Sequence, residues 1–278
     1  MAYETVLYET GDYVATITLN RPKRLNAIIG QLEDDLLSAL QRAEESDDVR
    51  VIVLTGAGRG YCTRADMKNL DAGSQSDWSQ VTTVEWIEAN LPQRPRGQVR
   101  GDIQKTYSYF PAITKPIIGA INGFAVGLGF VLPLYCDIRI ASNQAKFGTA
   151  FAQRGLIAEH GISWMLPRLV GISNALDLLY SARMIDAEEA LRMGLVSRVV
   201  PHDSLMEKVM EYANHLATRV SPRSLRVIKR EVYNALFQTL EEAINTANAD
   251  MVDSFACEDF KEGVAHFLEK RPPKFTGK

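Results

Sequence analysis

Val14 to Leu19 alternates as Val-Ala-Thr-Ile-Thr-Leu, the period of two that marks a strand, and Val51 to Leu54 is a short unbroken apolar run of the kind buried in a parallel sheet. Between them Leu32, Leu36, Leu37, Leu40 and Ala43 recur at three- and four-residue spacing with acidic residues opposite, which predicts an amphipathic helix. Strand, helix and strand in that order are the repeating unit of an α/β core with parallel strands. Ile117 to Ile121 reads as a further strand. The longest apolar stretch, Phe124 to Tyr135, is shorter than a bilayer span needs and holds Gly127, Gly129 and Pro133, so it reads as a buried helix. After Pro201 the pattern is helical, with apolar residues at helical spacing over 204–219, 222–240, 238–255 and 258–270.

Residues 71–98 break this order. They are rich in Ser, Gln, Thr and Asp and close on Pro92-Gln93-Arg94-Pro95-Arg96-Gly97. A long polar segment inside a compact domain is either a wall over a binding pocket or a plain surface loop, and both readings stand. Trp78 and Trp86 favour packing over something apolar.

At 278 residues the chain has ample material for a buried core, and 46% hydrophobic with 23% charged residues is the balance of a globular protein. A formal net charge of −3 argues against nucleic acid as the main partner, which calls for a basic face. Met1-Ala2-Tyr3-Glu4-Thr5 has neither the basic nor the apolar region of a secretory signal. Cys62, Cys136 and Cys257 have no metal-type spacing and leave an odd thiol, so a cytoplasmic protein without a metal or membrane partner is expected. Cys62 has no activating His nearby in sequence and reads as a packing residue.

Two glycine-bearing segments follow strand-like runs: Gly58-Arg59-Gly60-Tyr61-Cys62-Thr63-Arg64-Ala65-Asp66-Met67 and Ile121-Asn122-Gly123-Phe124-Ala125-Val126-Gly127-Leu128-Gly129. Each can present backbone N–H groups where a strand ends, and two converging N–H groups make an oxyanion hole for an enolate or a tetrahedral intermediate. Taken singly, each is equally a tight turn or a close helix–strand approach. As a pair in this order they resemble the two signatures of the crotonase (enoyl-CoA hydratase/isomerase) family. The resemblance extends from Val14–Pro22 with Asn26-Ala27, through Lys115–Ala120 and Cys136–Ala141, to Gly155-Leu156 and Ala187–Val200.

The resemblance implies an α/β fold, the crotonase (ClpP-like) spiral core of repeated β-β-α units. Residues 1–200 would form that core, with the coenzyme A site and the oxyanion hole. Residues 201–278 would form a helical region that covers the active site and builds a homotrimer or a dimer of trimers. It places an acyl-CoA thioester carbonyl between the N–H groups of Ala65 and Leu128, with coenzyme A present only as part of the substrate and no other cofactor. Arg24 is the candidate for the pyrophosphate, and Asp66, Lys270, Arg271 and Phe275 are the further candidates at the coenzyme A site, with Lys274 beside them in the terminal basic segment. The bland alternatives are a solvated charge cluster for the terminal basic residues and loop ordering for Asp66.

Departures from the family pattern bear on the reaction. Thr63-Arg64-Ala65-Asp66 stands where Ala-Gly-Ala-Asp is common, which replaces a Gly with a bulky cation beside the thioester site. The positions of the two Glu residues of the hydratases fall on Val131 and Phe151, and neither transfers a proton. Glu159, in Gly155-Leu156-Ile157-Ala158-Glu159-His160-Gly161, lies in the segment where dienoyl-CoA and epoxyphenylacetyl-CoA isomerases keep a catalytic acid, and inherits that role by resemblance. Its alternative is a cap on the helix that begins near Gly161. His160 is expected to point elsewhere, in a packing or capping role, and His202, His215 and His266 show no partners. The expectation is an enoyl-CoA isomerase or an atypical hydratase with a single carboxylate. A crotonase-type hydrolase or C–C lyase and a noncatalytic acyl-CoA-binding scaffold are the alternatives.

Overall fold

The computed structural model of the protein describes residues 3–63, 75, 103 and 105–278. The 71–98 segment with Trp78 and Trp86, and Arg64, Ala65 and Asp66, lie outside the described residues.

Two sheets advance in step along the chain. The larger has six strands in the order β1 (Val6–Gly11), β2 (Val14–Leu19), β3 (Val51–Gly56), β5 (Ile117–Ile121), β7 (Ile138–Ser142) and β10 (Arg198–Val200). Only the β1–β2 hairpin is antiparallel; the other pairings are parallel. The smaller sheet runs β4 (Gly60–Thr63), β6 (Phe124–Val126), β8 (Lys146–Gly148) and β9 (Ile185–Asp186), parallel except for the last pair. Thus β3, β5 and β7 each continue through a short connection into β4, β6 and β8. That stepwise advance is the spiral of β-β-α units that the resemblance implies.

Helix α1 (Gly30–Glu45) buries Leu32, Leu36, Leu37, Leu40 and Ala43 in one core with Ala15, Ile17 and Leu19 of β2. Helices α2 (Leu128–Leu134), α3 (Ile162–Val170), α4 (Ile172–Ser181) and α5 (Ala187–Arg192) complete that side of the core. The other face of the large sheet carries a separate apolar cluster. There Val14, Val51, Val53, Ile118, Ala120 and Ile140 meet Leu205, Val209, Ala213 and Ala217 of α6 (Leu205–Arg219). Every residue of β3 is buried because helices cover both sides of it.

The tail is α7 (Pro222–Ala235), α8 (Leu240–Ala256) and α9 (Glu258–Glu269). The helix expected over 222–240 stops at Ala235, because Thr239 opens α8 with a capping box in which the Glu242 carboxylate accepts from the Thr239 N–H at 2.7 Å. Two side chains tie α7 to the core through polar contacts. Lys229 pairs with Asp137 at 2.8 Å and donates to the Lys115 carbonyl, and Tyr233 donates to the same carboxylate at 3.0 Å. Phe124 to Tyr135 is not one helix. Its first three residues form β6 and the helix begins at Leu128, since Gly127 turns the chain between them. His202 and His266 are also partnered, through Nδ1, with the Ser142 hydroxyl at 3.0 Å and the Arg271 carbonyl at 3.2 Å.

Candidate active site

The first glycine segment becomes a strand. Gly60–Thr63 pairs in parallel with Phe124–Val126, so the two signatures are neighbouring strands of the small sheet, with Thr63 beside Val126 at its end. Asn26, fully buried, holds the first one from beneath, donating through Nδ2 to the carbonyls of Ala57 at 3.0 Å, Gly60 at 2.8 Å and Tyr61 at 3.1 Å. The Thr63 N–H donates to the Leu25 carbonyl at 3.0 Å. Cys62 is fully buried, its Sγ on the Asn26 carbonyl at 3.0 Å, and burial pushes its thiol well above the ordinary range, which is the chemistry of a packing residue.

The second segment turns from strand into helix at Gly127, whose φ of 60° and ψ of −126° lie where only glycine sits without strain. Its N–H donates to the Gly148 carbonyl at 2.9 Å. Leu128 therefore becomes the first residue of α2, and an N–H at that position has no intrahelical acceptor. One residue later the helix backbone lies directly on the first segment: a Cβ at Gly129 would stand 2.0 Å from the Cys62 carbonyl oxygen and 2.9 Å from the Thr63 nitrogen. Thr63 is the last described residue before Arg64 and Ala65, so Leu128 is the member of the expected N–H pair whose setting is described.

Glu159 sits in the loop between β8 and α3. It does not cap α3: the residue before the helix is Gly161, and no side chain makes a capping hydrogen bond there. The carboxylate is instead half-buried, and desolvation raises its pKa above the ordinary value. His160 does not point away from it, for its Nε2 lies 3.9 Å from the Glu159 Oε2. His160 has a φ of 52°, which is left-handed backbone, and its carbonyl accepts from the Tyr135 hydroxyl at 2.8 Å. Its ring stands edge-on to Tyr107 at 5.1 Å, and the Tyr107 hydroxyl donates to Glu33. Tyr135 directly follows α2, so the Glu159 loop is pinned to the far end of the helix that Leu128 begins. Val131 and Phe151 are buried and apolar.

A cavity of about 1070 Å³ lies between this loop and the tail. His160, Gly161 and Trp164 form one wall, and Tyr233 and Phe237 the other, with Trp164 stacked on Phe237 at 5.3 Å and 11°. Neither Glu159 nor Leu128 is among the described lining residues, so the cavity opens beside Glu159 through His160 rather than onto the carboxylate itself.

The expected coenzyme A cations do not gather in one chain. Arg24 is exposed in the turn Pro22–Arg24 after β2, one residue before the Leu25 that receives the Thr63 N–H. The terminal segment lies at the other end of the strands, where Arg50, just before β3, donates to the Phe275 carbonyl at 2.9 Å. A six-residue parallel strand separates those edges by roughly 20 Å. Arg271 forks onto Glu262 at 2.6 and 2.7 Å, and Lys270 is the left-handed residue that ends α9. Asn26, Tyr107, Glu33 and Tyr135 were not legible as site residues; Asn26 carried a signal only as part of the Asn26-Ala27 resemblance. Among the described residues no group of three or more His, Cys, Asp or Glu side chains could hold a metal ion.

Residues 9–278 match the family model described as enoyl-CoA hydratase/isomerase. A probable enoyl-CoA hydratase from Mycobacterium bovis is 34% identical over 276 residues, covering 99% of both chains. The 1,2-epoxyphenylacetyl-CoA isomerase of Escherichia coli is 33% identical, again over 99% of both. A crystal structure of an enoyl-CoA hydratase subunit from Geobacillus kaustophilus superposes with a TM-score of 0.86 at 33% identity, covering 99% of each chain.

Proposed function

The chain belongs to the enoyl-CoA hydratase/isomerase family and is an enzyme of that kind, and we propose that it shifts the double bond of an enoyl-CoA with Glu159 as the one acid/base group. The thioester oxygen lies between the N–H groups of Leu128 and Ala65. Glu159 takes a proton from C2 of a 3-enoyl thioester, the electron pair delocalises into a dienolate, and the same carboxyl returns the proton at C4. No atom is gained or lost, so one carboxyl group suffices. Each backbone donor aimed at the enolate oxygen is worth about 3 kcal/mol.

The observation that carries this reading is the state of Glu159. It is half-buried, raised in pKa and free of a capping role, while the apolar Val131 and Phe151 leave no second acid/base group at the positions where hydratases keep theirs. A carboxyl whose pKa is raised by desolvation accepts a proton more readily than one at its ordinary value. Arg24, with Asp66, Lys270, Arg271 and Phe275, is assigned to the coenzyme A end. The separation of Arg24 from the tail within one chain makes the tail's contribution one from a neighbouring subunit of a homotrimer or dimer of trimers. Exposed Val232 of α7 and Phe267 of α9 are apolar side chains available to such assembly.

The test is turnover of 3-enoyl-, 2-enoyl- and dienoyl-CoA panels by the wild type and Glu159→Ala, followed by absorbance and mass. Conjugation of a 3-enoyl or dienoyl substrate that falls about 10²-fold or more in the variant is expected. Net addition of water would make the protein a hydratase. Equal activity in both proteins would remove Glu159 from the mechanism, and binding without turnover would make the chain an acyl-CoA-binding scaffold.

A further inference from the structure

The cavity beside Glu159 is apolar at one end and cationic at the other. Tyr135, Trp164, Tyr233 and Phe237 surround the end nearest His160. Arg223 and Arg226, one helical turn apart on α7, line the opposite part, and Arg226 lies about 10 Å along the helix from Tyr233 at 1.5 Å per residue.

Among the described lining residues the charges do not cancel. Lys229 is engaged by Asp137 and Arg230 by Asp250. Arg223 donates only to the Ser254 hydroxyl at 2.8 Å, and Arg226 only to the Gly277 carbonyl at 2.9 Å, so neither guanidinium has a carboxylate partner among the described residues. Against them stands Asp253, which is exposed on α8 and makes no ion pair with either arginine. Two half-buried guanidinium groups lining one cavity, each with donors to spare, suit a planar anion that accepts two hydrogen bonds at once.

We propose that this cavity receives the distal part of the acyl group and that Arg223 and Arg226 select acyl-CoA thioesters of medium length that end in a carboxylate. The proposal rests on the acyl-CoA reading above and adds a substrate class to it. The aromatic end takes the methylene chain next to the reacting carbons, and the arginines take the terminal charge. A chain ending in a methyl group would leave the guanidinium groups facing hydrocarbon, which is the usual basis for rejecting an analogue that lacks a polar group.

Binding of three unreactive probes tests it: coenzyme A, octanoyl-CoA and suberyl-CoA, which carries the same eight-carbon acyl chain with a terminal carboxylate. Calorimetry would be run on the wild type, Arg223→Gln, Arg226→Gln and Arg226→Lys. The expected result is that suberyl-CoA binds the wild type more tightly than octanoyl-CoA. That ratio should fall about tenfold in each Gln variant and be partly kept in Arg226→Lys, with octanoyl-CoA affinity nearly unchanged. Retained octanoyl-CoA binding also shows that each variant is folded. Equal weakening of all three probes would mean that the arginines hold coenzyme A phosphates, and an unchanged ratio would mean that they recognise no acyl terminus; either overturns the proposal alone. Failure of the wild type to bind any of the three would overturn the acyl-CoA reading along with it.

Discussion

Gly129→Ala puts one methyl group where the two signature segments touch. Its carbon would stand 2.0 Å from the Cys62 carbonyl oxygen and 2.3 Å from the carbonyl carbon, and Cβ atoms are essentially never found under 3.0 Å, so the backbones must part by at least 1.0 Å. Rotation cannot relieve the overlap, because both partners are main chain. Alanine in place of glycine adds about 1 kcal/mol of intrinsic helix stability, while overpacking costs about 1–3 kcal/mol, so the net effect on folding is a modest loss. The effect on catalysis is larger. Leu128, the adjacent residue, supplies the proposed N–H donor, and a shift of about 1 Å at a reacting group can cost 10²-fold, close to the loss of a whole oxyanion-hole donor. The expected outcome is a fall of about 10²-fold in kcat/KM for a conjugating enoyl-CoA, with far-ultraviolet circular dichroism unchanged and the midpoint of thermal unfolding lowered by a few degrees. Gly30→Ala is the control, since nothing lies within 4 Å of a Cβ there. Activity within threefold of wild type in a folded Gly129→Ala protein would refute the reasoning.

The raised pKa of Glu159 sets an acid limb of kcat/KM above the ordinary 4.5, which should disappear in the residual activity of Glu159→Gln; a limb at or below 4.5 would contradict the desolvated environment. Stability follows the same group with a definite sign. The folded state holds this proton to higher pH than the unfolded chain, so the wild type should lose stability relative to Glu159→Gln as pH rises through that limb, as urea titrations at several pH values would show. Lys229→Met leaves the Asp137 carboxylate without its ion pair and should cost about 3 kcal/mol in urea unfolding, because breaking one side of a buried pair strands the other charge; a loss under 1 kcal/mol would show that Tyr233 and the Ile117 N–H satisfy Asp137 without it. Glu262, held down at about 2 by Arg271, contributes stability present above 4.5 and lost as pH falls towards 2. Glu262→Gln should flatten that acid dependence, and an unchanged one would mean that the fork does not anchor the tail.

The large sheet and the long helices were legible because their burial is regular. β2 alternates, β3 is covered on both faces, and α1 repeats its leucines every three or four residues. The small sheet was not, since β6 and β8 have three residues each and no period can be read from three positions. That is why the glycine segments read as turns and Phe124 to Tyr135 as one helix. The end of α7 was placed at 240 rather than at Ala235 for a different reason: apolar spacing continues past Ala235, and the capping box of Thr239 and Glu242 is what starts the next helix.

The same division separates the two halves of the proposed chemistry. Where backbone meets backbone, as at Gly127 and Gly129, only one residue type fits, so the constraint is written at its own position and a pair of glycine segments can announce an oxyanion hole. The acid/base loop is placed otherwise. Glu159 is set by Tyr135 holding the His160 carbonyl and by Tyr107 against the His160 ring, contacts made across sequence separations with no local pattern. Short-range reading therefore offered a helix cap as the plain alternative, and the geometry removed it by putting Gly161 in the capping position. It follows that a change of reaction on this frame requires little of the fold. Val131 and Phe151 are buried apolar residues that the core accommodates, and the carboxyl proposed for the proton chemistry sits on a neighbouring loop, apart from the strands that would carry the proposed hole.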